Sequence, residues 1–372
     1  MIYFDNAATS FPKPPEVIRA VASAMESFGN PSRGSHDLAL AASRSLETAR
    51  QRAAELFGCP EAERVAFTKN VTEALNIAIS SICGHIVTTE SEHNSVLRPV
   101  FRHGDYTVIP VDERGRFNAD DIALAIKPHT AAVVLAHGSN LTGNLAPVAE
   151  IGRMCRERGL IFILDAAQTA GVFDLNMEEA GVDALCFTGH KSLYGPQGTG
   201  GICLSRRFTP RPLLVGGSGI HSFSPQQPSE MPTLLEAGTL NGHGLAGLSA
   251  GLEYIRLNGR KAAAEADRLA RMFHDGLRRL DGVIFYGDYE ANERAPIVTI
   301  NVAALPSDEV ADRLAEDYGI AVRPGSHCAP LLHRRFQTEA RGSVRFSFSH
   351  FNREEEVRIA LKAITEIRDS VR

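Results

Sequence analysis

The sequence lacks most features that mark a specialised compartment or partner. Its net charge is −5 over 372 residues, and no stripe or block of Lys and Arg gathers on any segment. Nucleic acid and anionic membrane surfaces, which select clustered basic residues, are not expected partners. No apolar run approaches the roughly 20 residues needed to cross a bilayer. The opening MIYFDNAATS has no basic segment followed by an apolar one. No export signal is read there, and a cytoplasmic setting with reduced thiols is expected. The cysteines (Cys59, Cys83, Cys155, Cys186, Cys203 and Cys328) include no C-x-x-C pair. That argues against a zinc knuckle or a redox motif. There is no internal repeat and no low-complexity tract. No G-x-G-x-x-G turn opens a helix after the first strand, which removes the usual nicotinamide-binding signature.

What is present is alternation. Short β-branched or apolar runs at 64–68, 85–89, 106–111, 131–137, 160–166, 184–188 and 201–205 read as seven strands. Helix-period segments at 38–58, 72–82 and 146–159 fit between them. The spacing predicts an α/β fold, with a large, mostly parallel seven-stranded sheet carrying helices on both faces. The nearly continuous apolar runs at 131–137, 160–166 and 184–188 read as its central strands. The pattern changes after about residue 250. A long helical stretch at 244–280, expected as two helices broken near Gly259, leads into strands at 283–287, 297–302, 320–324 and 343–349. Helices at 307–319 and 353–369 complete a smaller α+β domain. The expected division is 27–256 for the large domain and 257–372, with 1–26, for the small one.

Open α/β sheets bind ligands beyond the carboxyl ends of their strands. The residues there are unusual. Asn70, Val71 and Thr72 open a helix after the first strand, and free helical N–H groups make an anion site. His93 follows the second, Asn140 the fourth, and Asp165 ends the fifth, with Gln168 three residues on. Thr188, His190 and Lys191 follow the sixth, in FTGHKSLYGPQG. A lysine set among small turn residues is either a solvated surface charge or an amine held for a Schiff base. Singly, Asp165 and Thr72 read as helix caps and His93 as a satisfied polar residue. Together they supply what pyridoxal phosphate requires. A carboxylate keeps the pyridine nitrogen protonated, a flat side chain stacks on the ring, an anion site holds the phosphate, and a lysine forms the imine.

Five stretches in order, DAAQTAG, GHKSLYGPQGTGG, SNLTGN, EAGTLN and RPGSHCA, resemble the class V aminotransferase-type pyridoxal-phosphate enzymes with the type I fold. Within that group the resemblance is to cysteine desulfurases, from YFDNAATSFPKP (3–14) to SVRFSFSHFN (343–352). It implies Lys191 as the Schiff-base lysine, Asp165 on the pyridine nitrogen, Gln168 on the ring hydroxyl and His93 stacked on the ring. It places Thr72, Thr188 and His190 on the phosphate. Thr239 would reach the phosphate of the neighbouring subunit in a homodimer with shared active sites. Asn140, Arg323 and Arg345 would bind substrate, Arg345 by its bidentate fork on the carboxylate. No metal is implied.

RPGSHCAP narrows the chemistry. Cys328 sits in a polar Gly/Pro loop, unlike Cys83, Cys155, Cys186 and Cys203 in their apolar helices and strands. Arg323 and His327 stand nearby, and a neighbouring cation favours thiolate. The loop resembles the short catalytic-cysteine loop of the SufS-like desulfurases. The implied reaction converts L-cysteine to L-alanine: Lys191 takes the α-proton, and Cys328 attacks the substrate sulfur and keeps it as a persulfide for an acceptor protein. Three positions depart from that pattern. Ser32 replaces a histidine before Arg33 and Gly34, Ser326–His327 stands where two histidines are usual, and Val71 replaces a hydroxyl residue. L-selenocysteine is an alternative substrate on the same scaffold. Another class V lyase or transaminase, and a non-catalytic sulfur-carrier partner, are the other readings.

Overall fold

The structure is a computed structural model that describes residues 1–31 and 34–371. The chain opens with β1 (Ile2–Tyr3), α1 (Pro15–Ser27) and α2 (Asp37–Phe57). Then β2 (Val65–Thr68), α3 (Val71–Ser80), β3 (His85–Thr89), α4 (Asn94–His103), β4 (Tyr106–Ile109), α5 (Ala119–Leu124) and β5 (Thr130–Ala136) alternate. The series continues with α6 (Val148–Glu157), β6 (Ile161–Asp165), β7 (Ala184–Thr188) and β8 (Gly200–Leu204).

These seven strands from β2 to β8 form one sheet in the order β2-β8-β7-β6-β5-β3-β4. All pairings are parallel except the two made by β8. Six strands therefore point their carboxyl ends to one edge, as the alternation predicts. Period-2 geometry explains the apolar runs: on β5, Val133 and Leu135 enter one core while Ala132 and Val134 enter the other. The first face is covered by α2 and α6 and the second by α3 and α4. The cap of α3 is Asn70, which accepts from Glu73 N, while the Glu73 carboxylate accepts from Lys69 N.

Then comes α7 (Gly242–Leu277), a single uninterrupted helix. The break expected near Gly259 is absent. The reason is packing: Leu245, Leu248, Leu252 and Ile255 of its first half enter a core of the large sheet, while Leu269, Ala270, Phe273 and Leu277 enter a separate core. Two buried faces hold the helix through Asn258–Gly259, which read locally as a stop. Residues 256 and 257, on either side of the expected domain boundary, are consecutive in this helix.

The last part comprises β9 (Val283–Tyr286), β10 (Ile297–Val302), α8 (Ser307–Tyr318), β11 (Ile320–Ala321), α9 (Pro330–Arg335), β12 (Val344–Ser347) and α10 (Glu354–Asp369). Its antiparallel sheet has the order β12-β10-β9, and β1 pairs in parallel with β11. The expected strand at 320–324 is shorter, with only an isolated bridge between Arg323 and Arg345 beyond β11. Phe4 joins the core of this part, so the N-terminal segment is tied to it. No helix among the described residues is long and apolar enough to cross a membrane.

Candidate active site

The carboxyl edge of the large sheet and the Arg323–Arg345 bridge enclose a cavity of about 250 Å³. Asn70, Val71 and Thr72 come to it from the start of α3, His93 from the start of α4, and Asn140 from beyond β5. Asp165 and Gln168 come from the end of β6, Thr188, His190 and Lys191 from the end of β7, and Arg323 and Arg345 from the last part of the chain. Two expected residues do not line it. Cys328 is half-buried beside His327, which does; Thr239 lies in a separate groove with Lys69, Glu73 and Leu214. Glu236 anchors EAGTLN, the stretch that carries Thr239, pairing with Arg50 at 2.8 Å and accepting from Phe67 N at 2.7 Å. Ser32 and Arg33 lie outside the described residues.

The lysine segment is a tight turn locked by its own backbone. Gly189 N donates to Thr199 O, Tyr194 N to Lys191 O, and Gly195 N to Gly189 O, each at 2.8–2.9 Å. Gly189 has no room for a side chain, since a Cβ there would stand 2.1 Å from Thr199 Oγ1. Lys191 and Asp165 line the same cavity and influence each other electrostatically. Burial lowers the Lys191 amine to about 8; Asp165 opposes that shift, and Arg345 and Arg323 add to it. Asp165 is buried and its carboxyl is raised by that burial, against a hydrogen bond from Ala167 N at 2.9 Å and the charge of Lys191. Gln168 donates to Ala7 O at 3.2 Å.

One end of the cavity could cradle an anion. Thr188 Oγ1 and His190 Nδ1 are buried there with no partner among the described residues. Thr72 Oγ1 meets Ser95 Oγ at 2.8 Å, and Ser95 in turn meets His93 Nδ1 at 2.9 Å. Both imidazoles stay neutral. Burial, with Lys191 and other cations, lowers His93 to about 4, and burial with Lys191 and Lys13 does the same for His190.

At the other end, Arg345 is 1% exposed and donates to Asn140 O at 3.0 Å and to Asp5 at 2.9 Å. Its Nε has no partner among the described residues. Asn140 donates its amide to His327 O at 2.7 Å, and Asn94 N donates to Cys328 O at 2.8 Å. The cysteine loop is thus held against the cavity rim, with His327 and Cys328 both in left-handed backbone at φ 52° and 55°. His327 does not supply the cation expected beside Cys328. Burial, with Arg345, holds it well below the usual histidine range, and its Nε2 meets Arg323 O at 3.0 Å. Ser326 faces solvent.

A profile of the class-V aminotransferases matches residues 2–359. The chain belongs to that family. It is 34% identical to a probable cysteine desulfurase of Pyrococcus abyssi, over 100% of this chain and 95% of that one. It is 32% identical to another from Methanothermobacter thermautotrophicus, over 98% and 94%. The apo structure of a cysteine desulfurase from Thermococcus onnurineus NA1 superposes with a TM-score of 0.93 at 34% identity, covering 99% of this chain and 95% of that chain. The cysteine desulfurase CsdA of Escherichia coli, in an S-sulfonic acid form, gives 0.88 at 26% identity, covering 99% and 94%.

Several residues of this class-V site carried no signal that the sequence reading used. Ser95 joins Thr72 to His93; only its place in the first turn of α4 could have suggested it. Asp5 reaches Arg345 across 340 residues of chain. Glu92, next to His93, is fully buried, meeting Thr89 Oγ1 at 2.6 Å and accepting from Ala136 N at 2.7 Å. Ala7 and Ala8 bring the N-terminal segment into the wall.

Proposed function

We propose that this class-V aminotransferase is a pyridoxal-phosphate-dependent cysteine desulfurase that converts L-cysteine to L-alanine and leaves a persulfide on Cys328. The observation that carries the reading is one cavity holding Lys191, Asp165 and Arg345, with the Cys328 loop fastened to its rim by Asn140 and Asn94. The residues present fit the cofactor. Orphaned Thr188 Oγ1 and His190 Nδ1, beside the first turn of α3, suit a phosphate. Asp165 suits a protonated ring nitrogen, neutral His93 a ring face, and Gln168 a ring hydroxyl. When bound, pyridoxal phosphate supplies an electron sink for the substrate α-carbon.

The chain's own residues do the rest. Arg345 and Arg323 hold the substrate carboxylate, with Asn140 beside them. Lys191 Nζ, brought to about 8 by burial, is suited to take the α-proton and return it. Cys328 Sγ attacks the substrate sulfur. The S–S bond forms as the C–S bond breaks, the carbon keeps the electron pair and is protonated, and the sulfur is left oxidised. L-cysteine and the Cys328 thiol thus give L-alanine and the Cys328 persulfide, which an acceptor protein or a thiol reductant then discharges. We read the working form as a homodimer. Support comes from exposed Leu214 in the groove of Thr239, followed along the chain by the exposed apolar side chains Val215 and Phe223.

The test is alanine release from L-cysteine, with a thiol reductant present, by wild type, Lys191→Ala and Cys328→Ser. Release by wild type alone is expected. Equal release by Cys328→Ser removes the persulfide step. Release from L-selenocysteine but not L-cysteine moves the substrate to the selenium compound.

A further inference from the structure

The N-terminal segment that forms part of the cavity wall also grips the lysine turn from behind. His190 O accepts from Ser10 N at 3.1 Å, Thr9 Oγ1 at 3.0 Å and Lys13 Nζ at 2.7 Å. Ser10 Oγ donates to Lys191 O at 2.8 Å and accepts from Lys13 Nζ at 2.7 Å. The peptide that carries Lys191 is therefore held by donors about 180 residues away in sequence. Lys13 is half-buried and makes no ion pair among the described residues. Burial lowers it to about 8, so it remains charged at neutral pH. A partly desolvated ammonium with only a carbonyl and a hydroxyl for partners is unfavourable unless those contacts matter. A solvated lysine on the same turn would avoid that cost.

We propose that Lys13, acting with Ser10, is a positioning residue that fixes the His190–Lys191 peptide and so presents the Lys191 amine to the cofactor aldehyde. The inference rests on Lys191 as the cofactor lysine. An ammonium donor makes a stronger, shorter bond to a carbonyl than a neutral donor does. Lys13 supplies that bond to His190 O, and the Ser10 hydroxyl it also holds donates to Lys191 O, so two consecutive carbonyls of the turn are fixed together. The same segment carries Asp5, bonded to Arg345, so one stretch of chain holds both ends of the site.

The experiment follows covalent capture of pyridoxal phosphate by the cofactor-free full chain. Capture joins the lysine nitrogen to the aldehyde carbon with loss of water. Borohydride then supplies hydride and fixes the adduct, which is counted on the Lys191 peptide by mass spectrometry. Wild type, Lys13→Met, Lys13→Arg and Ser10→Ala are compared, with melting curves of the cofactor-free proteins. Lys13→Met should capture about tenfold more slowly, the loss expected for one charge-assisted hydrogen bond. Lys13→Arg should recover most of the rate, and Ser10→Ala should be slowed with an unchanged melt. Equal rates in wild type, Lys13→Met and Ser10→Ala overturn the inference. So does a slow Lys13→Met that Lys13→Arg fails to restore. If wild type forms no adduct at Lys191, the reading of Lys191 itself falls, a result distinct from the others.

Discussion

The backbone N–H of Asn94 donates to the carbonyl of Cys328 across 2.8 Å, joining the helix capped by His93 to the cysteine loop. Asn140 adds a second tie at His327 O. Left-handed backbone at two consecutive non-glycine residues costs roughly 1 kcal/mol or more for each. These ties offset that cost. Asn140→Ala should release the loop without touching the lysine turn. The expected outcome is a fall of about tenfold in kcat/KM for L-cysteine, the size of one lost hydrogen bond to a strained loop. The absorbance of bound cofactor should be unchanged.

Arg345 and Asp5 make the second prediction. The guanidinium is fully buried, so removing its carboxylate partner leaves a buried charge unmatched. Asp5→Ala should destabilise the protein by roughly 3 kcal/mol at pH 7, read from urea midpoints at constant m. Arg345→Lys keeps the charge but loses the fork. It should raise KM for L-cysteine by about tenfold or more while cofactor binding persists.

Glu92 gives a prediction in pH. Burial raises its carboxyl from 4.5 to about 8. Between those values the folded protein holds a proton that the unfolded chain releases, so this group's contribution to stability is lost as pH rises through the window. Glu92→Gln keeps an oxygen for Ala136 N and an amide donor for Thr89, and it has no proton to lose. Its stability should match wild type near pH 5 and exceed it at pH 8. Urea midpoints at the two pH values check this; a constant difference would contradict it.

The lysine turn packs directly on α7. A Cβ at Gly251 would stand 2.3 Å from Leu193 O, two residues after Lys191, and backbone cannot yield there. Gly251→Ala should cost about 1–3 kcal/mol, as forced overpacking does. At Gly259 the nearest atom is a side-chain methyl, Ile255 Cγ2 at 3.0 Å, so the same change should cost less. Melting of the two variants separates the cases.

The strands were legible because both faces of the sheet are buried, which leaves short apolar runs bounded by polar strand ends. Lys191, Asp165, His93 and Thr188 were legible for the same reason: chemistry-bearing residues stand just where those runs stop. The helix α4 was not, since Pro99 lies inside it and reads as a helix stop. The unbroken α7 was not, because Asn258–Gly259 is a stop signal that two separate cores override. Asp5, Ser10 and Lys13 lie in YFDNAATSFPKP, but their roles were not legible because their partners lie at the far end of the chain or half-way along it. No local pattern encodes such contacts. His327 misled in the opposite way, since it reads as a cation beside Cys328 until its burial is known.

The most direct test of the central claim follows the sulfur atom. The full-length holoenzyme is mixed with a stoichiometric amount of L-cysteine without reductant, quenched, and digested. The account predicts that the peptide bearing Cys328 gains the mass of one sulfur atom, in step with the alanine formed, and that added thiol removes it. Alanine formed with no added sulfur on Cys328, or with sulfur on another cysteine such as Cys59 or Cys83, would contradict it.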